Sequence, residues 1–179
     1  ISCNLVNLSQ VSDFLQPIAD KIEQFVGFDA ELVRDAKLGL VGQLKTIAPE
    51  ACYQIKTNAE IDCTWMGKAF VPEEVAIALK KGWNWIGYIP TSEMTLEDAL
   101  KNLTPAEGDM VKSYTDFSTY SNGKWTGTLS SMTPGQGYMY YSGKETSFYY
   151  PSDAVKDPMK SQAAFSEEDK NAMWGIPWE

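Results

Sequence analysis

Apolar and polar positions along this chain follow two periods, and each period recurs. The stretch from Leu79 to Pro90, LKKGWNWIGYIP, alternates with period two. Trp83, Trp85 and Gly87 fall on one side and Asn84, Ile86 and Tyr88 on the other, which predicts a strand with bulky residues on both faces, closed by Pro90. A helical spacing links Val11, Phe14, Leu15, Ile18 and Ile22, with Ser9 or Ser12 as the cap and Pro17 as an interruption. A shorter helix follows Thr95 over LEDALKNL, with Glu97 and Asp98 in its first turn and Thr104-Pro105 ending it. Further alternation predicts strands with Val26, Phe28, Ala30 and Leu32, or Val111, Ser113, Thr115 and Phe117, pointing inward. The strands after them turn Leu40, Gly42 and Leu44, or Trp125, Gly127 and Leu129, inward, with Asn122-Gly123 as a hairpin turn. If these faces coincide, Leu32 lies across from Gly42 and Phe117 from Gly127, a large residue covering a glycine in each case.

These paired patterns belong to one repeat. Setting each residue beside the one 85 positions later lays Asp13–Ile55 over Asp98–Tyr140 without a gap. Identities fall at Asp13/Asp98, Leu15/Leu100, Val26/Val111, Gly42/Gly127, Leu44/Leu129, Pro49/Pro134 and Tyr53/Tyr138, with apolar pairs between them. The fold expected is mainly β, with one short helix per repeat and two tandem βαββββ-like repeats of about 85 residues. The first repeat and connector span 1–78, the second repeat 79–151, and a connector with a tryptophan-containing tail 152–179. The same spacing sets Ile1-Ser2 over Ile86-Gly87, in mid-strand, so the chain reads as part of something longer.

Each repeat is expected to close with a hairpin. A turn at Thr57-Asn58 would place Cys52 opposite Cys63, the arrangement a cross-strand disulfide requires, and the equivalent turn at Ser142-Gly143 would place Gly137 opposite Phe148. Two small buried thiols in a reduced protein are the alternative, and Cys3 has no evident partner in either case.

Composition narrows the chemistry. The formal net charge is −9 and no basic run exceeds Lys80-Lys81, which argues against nucleic acid or an anionic membrane as partner. No apolar segment is long enough to span a bilayer. The chain has no histidine, which removes the commonest general base and metal ligand. No phosphate-binding loop, dinucleotide fingerprint or nucleophile elbow occurs, and no cofactor or metal is expected.

The strand Leu79–Gly87, then Gly108-Asp109-x-apolar-Lys112-Ser113, Trp125-x-Gly127-x-Leu129 and Pro134-Gly135-x-Gly137-Tyr138, together resemble a family of repeat modules. That family occurs in secreted and surface-anchored proteins of Bacteroidetes and other gut anaerobes. The second copy matches throughout; the first departs at Gln24-Phe25, Leu40-Val41-Gly42 and Cys52-Tyr53. The resemblance covers residues 1–151 and implies an extracellular, non-catalytic module of a larger secreted or surface-anchored protein, often joined to adhesins or polysaccharide-acting enzymes. It names no ligand.

Paired carboxylates could serve glycoside hydrolysis, but Glu73-Glu74, Glu97-Asp98 and Glu167-Glu168-Asp169 look like helix starts or solvated turns. No residue is assigned a catalytic role. Trp83, Trp85, Trp125, Tyr53 and Tyr138 read as mostly core. Positions aromatic in the second copy and polar in the first are expected to be exposed: Tyr114 over Asp29, Tyr120 over Asp35, Tyr141 over Lys56 and Tyr149 over Thr64. Tyr114 and Tyr120 would share a strand face with Lys112, Asp116 and Ser118, with Thr128 on the neighbouring strand. Their rings would stand roughly 20 Å apart. Lys112, Tyr114, Asp116, Tyr120 and Thr128 form the candidate ligand site, although tyrosine is also simply a good strand former. The expectation is a glycan-binding module, secreted or at the cell surface. The alternative is a structural or adhesive spacer contacting a surface protein, and an enzyme is the least supported reading.

Overall fold

A computed structural model of the chain describes residues 1–152 and the backbone of Ser161–Phe165. The protein is mainly β, with antiparallel sheets and short helices. Its first half runs α1 (Val11–Leu15), a 3-10 turn (Gln16–Ile18), β1 (Ile22–Val26), β2 (Glu31–Asp35), β3 (Gly39–Gly42), β4 (Gln54–Thr57) and β5 (Ile61–Trp65). A second 3-10 turn, Pro72–Glu74, leads into β6 (Ala76–Leu79) and β7 (Gly82–Gly87). The second half continues with β8 (Met94–Thr95), α2 (Leu96–Ala99), β9 (Met110–Lys112), β10 (Phe117–Ser121), β11 (Lys124–Gly127), β12 (Ser131–Met132), β13 (Gly137–Ser142) and β14 (Thr146–Tyr149). A last strand, β15, spans Ser161–Phe165.

The first helix is shorter than its apolar spacing suggests. Pro17 tightens the chain into a 3-10 turn, and Ile22 is already the first residue of β1. All five apolar residues are nevertheless buried. Neither Ser9 nor Ser12 caps this helix, since Gln10 occupies the N-cap without a side-chain bond. Thr95 does cap α2: its Oγ1 accepts from the Asp98 amide at 3.1 Å.

The two halves share one pairing scheme. In the first, β3-β2-β1-β4 form a sheet; in the second, β11-β10-β9-β13 do the same and β7 extends the edge. Phe25 pairs with Leu32 and Ile55, as Val111 pairs with Ser118 and Tyr140. Residues Gln24–Val33 therefore correspond to Met110–Thr119, one residue out of step with the 85-residue spacing. The first half recovers that residue in a three-residue loop, Ala36–Leu38, where Asp35 Oδ1 accepts from the amides of Lys37 (2.7 Å) and Leu38 (2.9 Å). The second half turns on Asn122-Gly123 alone, both with positive φ (53° and 81°) as a two-residue hairpin requires.

This shift corrects three expectations. The predicted strands Val26–Leu32 and Val111–Phe117 each contain a turn, closed by Gly27 N to Ala30 O and by Ser113 N to Asp116 O, both at 2.8 Å. Phe28 sits in the first turn with 63% of its surface exposed, and Phe117 is exposed as well. Leu32 does face Gly42, but Ser118, not Phe117, faces Gly127. Each glycine is needed because the opposite backbone is close: a side chain at Gly127 would meet Phe117 O and Ser118 Cα, and one at Gly42 would meet Glu31 O.

The predicted closing hairpins are not hairpins. β4 pairs with β1 and β5 with β15; β13 pairs with β7 and β9, and β14 with β6. The chain crosses from one sheet to another at Thr57–Ile61 and Ser142–Thr146, so Cys52 never comes opposite Cys63 and all three cysteines are free. The expected disulfide is absent. Part of the presumed C-terminal connector is strand β15; Glu167-Glu168-Asp169 and the tryptophan-containing tail lie outside the described residues.

Tyr53 and Tyr138 brace equivalent corners. Tyr53 Oη accepts from Ala48 N at 2.8 Å and Tyr138 Oη from Thr133 N at 2.7 Å. The halves meet through reciprocal bonds between matching residues, Ser2 N to Gly135 O (3.0 Å) and Gly87 N to Glu50 O (2.8 Å). Cys52 packs against Gly137, its own counterpart in the 85-residue spacing, and no side chain larger than hydrogen fits there. Each half keeps its own buried cluster: Phe14, Phe25, Tyr53 and Trp65 anchor the first, and Tyr88, Tyr138, Tyr140, Phe148 and Tyr150 the second.

Candidate functional site

Strand alternation divides the five-stranded sheet of the second half into a buried face and an outer face. Ile86, Tyr138, Tyr140, Val111 and Ser118 point inward and are buried. Their neighbours point outward in two cross-strand rows. One row runs Trp83, Tyr141, Met110, Thr119, Thr126; the other runs Trp85, Met139, Lys112, Phe117. Trp83, Tyr141 and Phe117 are exposed, at 36%, 37% and 48%. The Trp83 and Tyr141 rings meet edge to face with centroids 5.4 Å apart, and Lys112 Nζ lies 5.3 Å from the Trp83 ring centroid. Phe28 extends the aromatic surface from the first half, its ring 6.1 Å from that of Trp85.

Corresponding positions on the first sheet are different. Lys56, Gln24, Val33 and Val41 form one row, and Gln54, Val26 and Glu31 the other. Lys56 Nζ pairs with Glu23 at 2.8 Å, and Gln24 Nε2 donates to Glu31 at 2.6 Å. Polar pairs interspersed with valines cover one sheet and an aromatic surface the other.

The sheet beneath the aromatic face is pinned by a buried carboxylate. Asp109 accepts from Gly143 N (2.7 Å), Ala106 N (3.0 Å) and Tyr140 Oη (2.8 Å). Burial, and then the bond to Asp109, raises the Tyr140 phenol far above its ordinary range. Its first-half equivalent, Ile55, has no hydroxyl to offer. The Gly-Asp of the sequence motif therefore serves structure: the aspartate ties the start of β9 to the end of β13.

The five residues expected to bind ligand do not form a platform. Tyr114 and Asp116 lie in the β9–β10 turn, while Tyr120 stands on the inward side of β10 against Trp125, centroids 5.3 Å apart. In the corrected register Tyr114 matches Phe28 and Tyr120 matches Arg34, so neither replaces an aspartate. Lys112 belongs to the outer face, and Thr128 adjoins it, its Oγ1 accepting from Phe117 N at 3.3 Å. Tyr141 and Tyr149 are exposed, as their substitution for polar residues suggested, but on separate sheets. Of the tryptophans read as core, Trp125 packs partly against it, whereas Trp83 and Trp85 face outward. Sequence comparison missed these two because their counterparts would precede Ile1.

Burial pushes the thiols of Cys3 and Cys52 upward. Among the described residues no group of three acidic or cysteine side chains could hold a metal ion, and no helix is long and apolar enough to cross a membrane. Compared with family models, curated proteins and solved structures, the chain shows no significant match.

Proposed function

We propose that this chain is a non-catalytic, extracellular binding module of a larger secreted or surface-anchored protein, and that its ligand is a glycan lying on the outer face of the second sheet. The observation that carries the reading is the exposed Trp83–Tyr141 pair on a strand-built surface, where the sister sheet has Lys56 in place of Tyr141 and no strand equivalent to β7. A pyranose ring offers an apolar C–H face that stacks on such rings, while its hydroxyls reach donors and acceptors such as Lys112, Thr119 and Thr126. Rigid strands hold the rings in place, so little conformational entropy is lost on binding. Glycan-array screening followed by affinity electrophoresis tests it: the intact chain should bind a glycan, and Trp83→Ala and Tyr141→Ala should each abolish retention without lowering the melting temperature by more than a few degrees. Binding that survives both substitutions would refute the site.

A protein-contacting spacer is favoured by a different observation. Met110, Met139 and Phe117 lie among the rings, and flexible methionines suit adaptable protein contacts. A chain that binds no glycan but is captured by a surface protein through Trp83 would establish that reading.

A further inference from the structure

The two rows of the outer face that hold the rings carry one cation, Lys112, and no carboxylate; Lys124, paired with Ser121, lies one row further out. The Lys112 ammonium lies over the Trp83 ring, and no acidic side chain stands within ion-pair distance of it among the described residues. In a chain of net charge −9, a cation without a counter-charge at the centre of an aromatic surface is unexpected. The first half shows the ordinary arrangement: Lys56, on the equivalent face, is neutralised by Glu23. The acid just ahead of β9, where Glu23 precedes Gln24, is Asp109, and it is drawn inward by Tyr140, Gly143 and Ala106. The second half has thus moved its acid beneath the sheet and left a cation above it.

From this we infer that the ligand is an acidic glycan, a polysaccharide containing uronic acid, with sugar rings on Trp83 and Tyr141 and a carboxylate on Lys112. This rests on the proposed glycan site and specifies its chemistry. A carboxylate on the C5 carbon projects from the rim of a pyranose, so a ring stacked on Trp83 can present it sideways to an ammonium that already lies against the same tryptophan. The protein's overall negative charge disfavours polyanions in general, so retention of a polyuronate requires a local site.

The test is affinity electrophoresis of the full chain in polygalacturonate, in its carboxyl-reduced neutral counterpart, and in dextran sulfate. Polygalacturonate should retard the protein, with retardation falling as salt rises. Lys112→Met should weaken that binding about tenfold to a hundredfold, the range of a charge-assisted bond. Lys56→Met, which removes the paired cation of the sister sheet, should leave it unchanged. Equal binding of the acidic and neutral polymers, unaffected by Lys112→Met, would overturn the acidic specificity while sustaining the glycan site. Loss of binding to every polymer and every array glycan would overturn both. Dextran sulfate retention equal to that of polygalacturonate, and insensitive to Trp83→Ala, would show adsorption of any polyanion and would also overturn the proposal.

Discussion

The two sheets share four strands in the same order, with β7 added at the edge of the second, yet they differ in where their polar chemistry lies. The first sheet places Lys56–Glu23 and Gln24–Glu31 in water, turns Arg34 onto the backbone carbonyls of Ile22 and Ala19, and fills its interior with Phe25, Ile55 and Leu32. The second buries Asp109 with Tyr140 and turns Trp83, Tyr141 and Phe117 outward. Exposed rings contribute little to folding, whereas a buried carboxylate left without partners would be costly. The polar version shows that the scaffold forms without the aromatic surface, so that surface needs another reason to exist.

The comparison can be broken most forcefully at its buried acid. Asp109→Ala removes three hydrogen bonds to a buried carboxyl group and should destabilise the second half by about 3 kcal/mol, whereas Glu23→Ala should cost roughly 0.5 kcal/mol or less. Chemical denaturation with per-half hydrogen exchange would read both. Equal losses would mean that the two acids do the same work.

The corner tyrosines should behave alike. Tyr53→Phe and Tyr138→Phe each strip a half-buried amide of its acceptor, at about 1 kcal/mol apiece. A large difference between them would show that the halves are braced by different means.

Smaller still is the stability cost of exchanging the surfaces. Tyr141→Lys makes the second face resemble the first and should change stability by about 1 kcal/mol or less, while ring loss removes about 1 to 3 kcal/mol of glycan affinity, by analogy with base stacking. Thermal melts beside affinity electrophoresis separate the two effects. A variant that unfolds would place Tyr141 in the core.

Alkaline titration sharpens the comparison without mutation. Tyr53, Tyr138, Tyr140 and Tyr150 all have phenols raised by burial. The unfolded chain ionises near the ordinary value of 10 and the folded one does not, so stability is present below that pH and falls as pH rises through and above it. Tyrosinate absorbance should therefore appear late for these four. Early, complete ionisation in a protein still folded would contradict their burial.

Much of this architecture was legible in the chain. Alternation placed the central strand and its two faces, because a strand must turn successive residues to opposite sides. Asn122-Gly123 announced its turn through the positive φ that both residues tolerate, and Thr95 its helix through the hydroxyl that satisfies a free amide. The 85-residue spacing found Tyr53 and Tyr138, whose shared corner bond depends only on the five-residue reach from Ala48 or Thr133.

Tertiary structure alone decided the rest. Period two cannot reveal a turn inside a stretch that keeps alternating, so Tyr114 and Tyr120 looked like one face although the chain reverses between them. A one-residue slip inverts every assignment of in and out, and here the slip was hidden by a loop that restored the count. Which strands pair across the halves depends on distant backbone, so the separation of β4 from β5, and with it the fate of Cys52 and Cys63, carried no local signal. The tryptophans were visible throughout as large apolar residues; only the placement of β7 at the sheet edge turned Trp83 and Trp85 toward solvent.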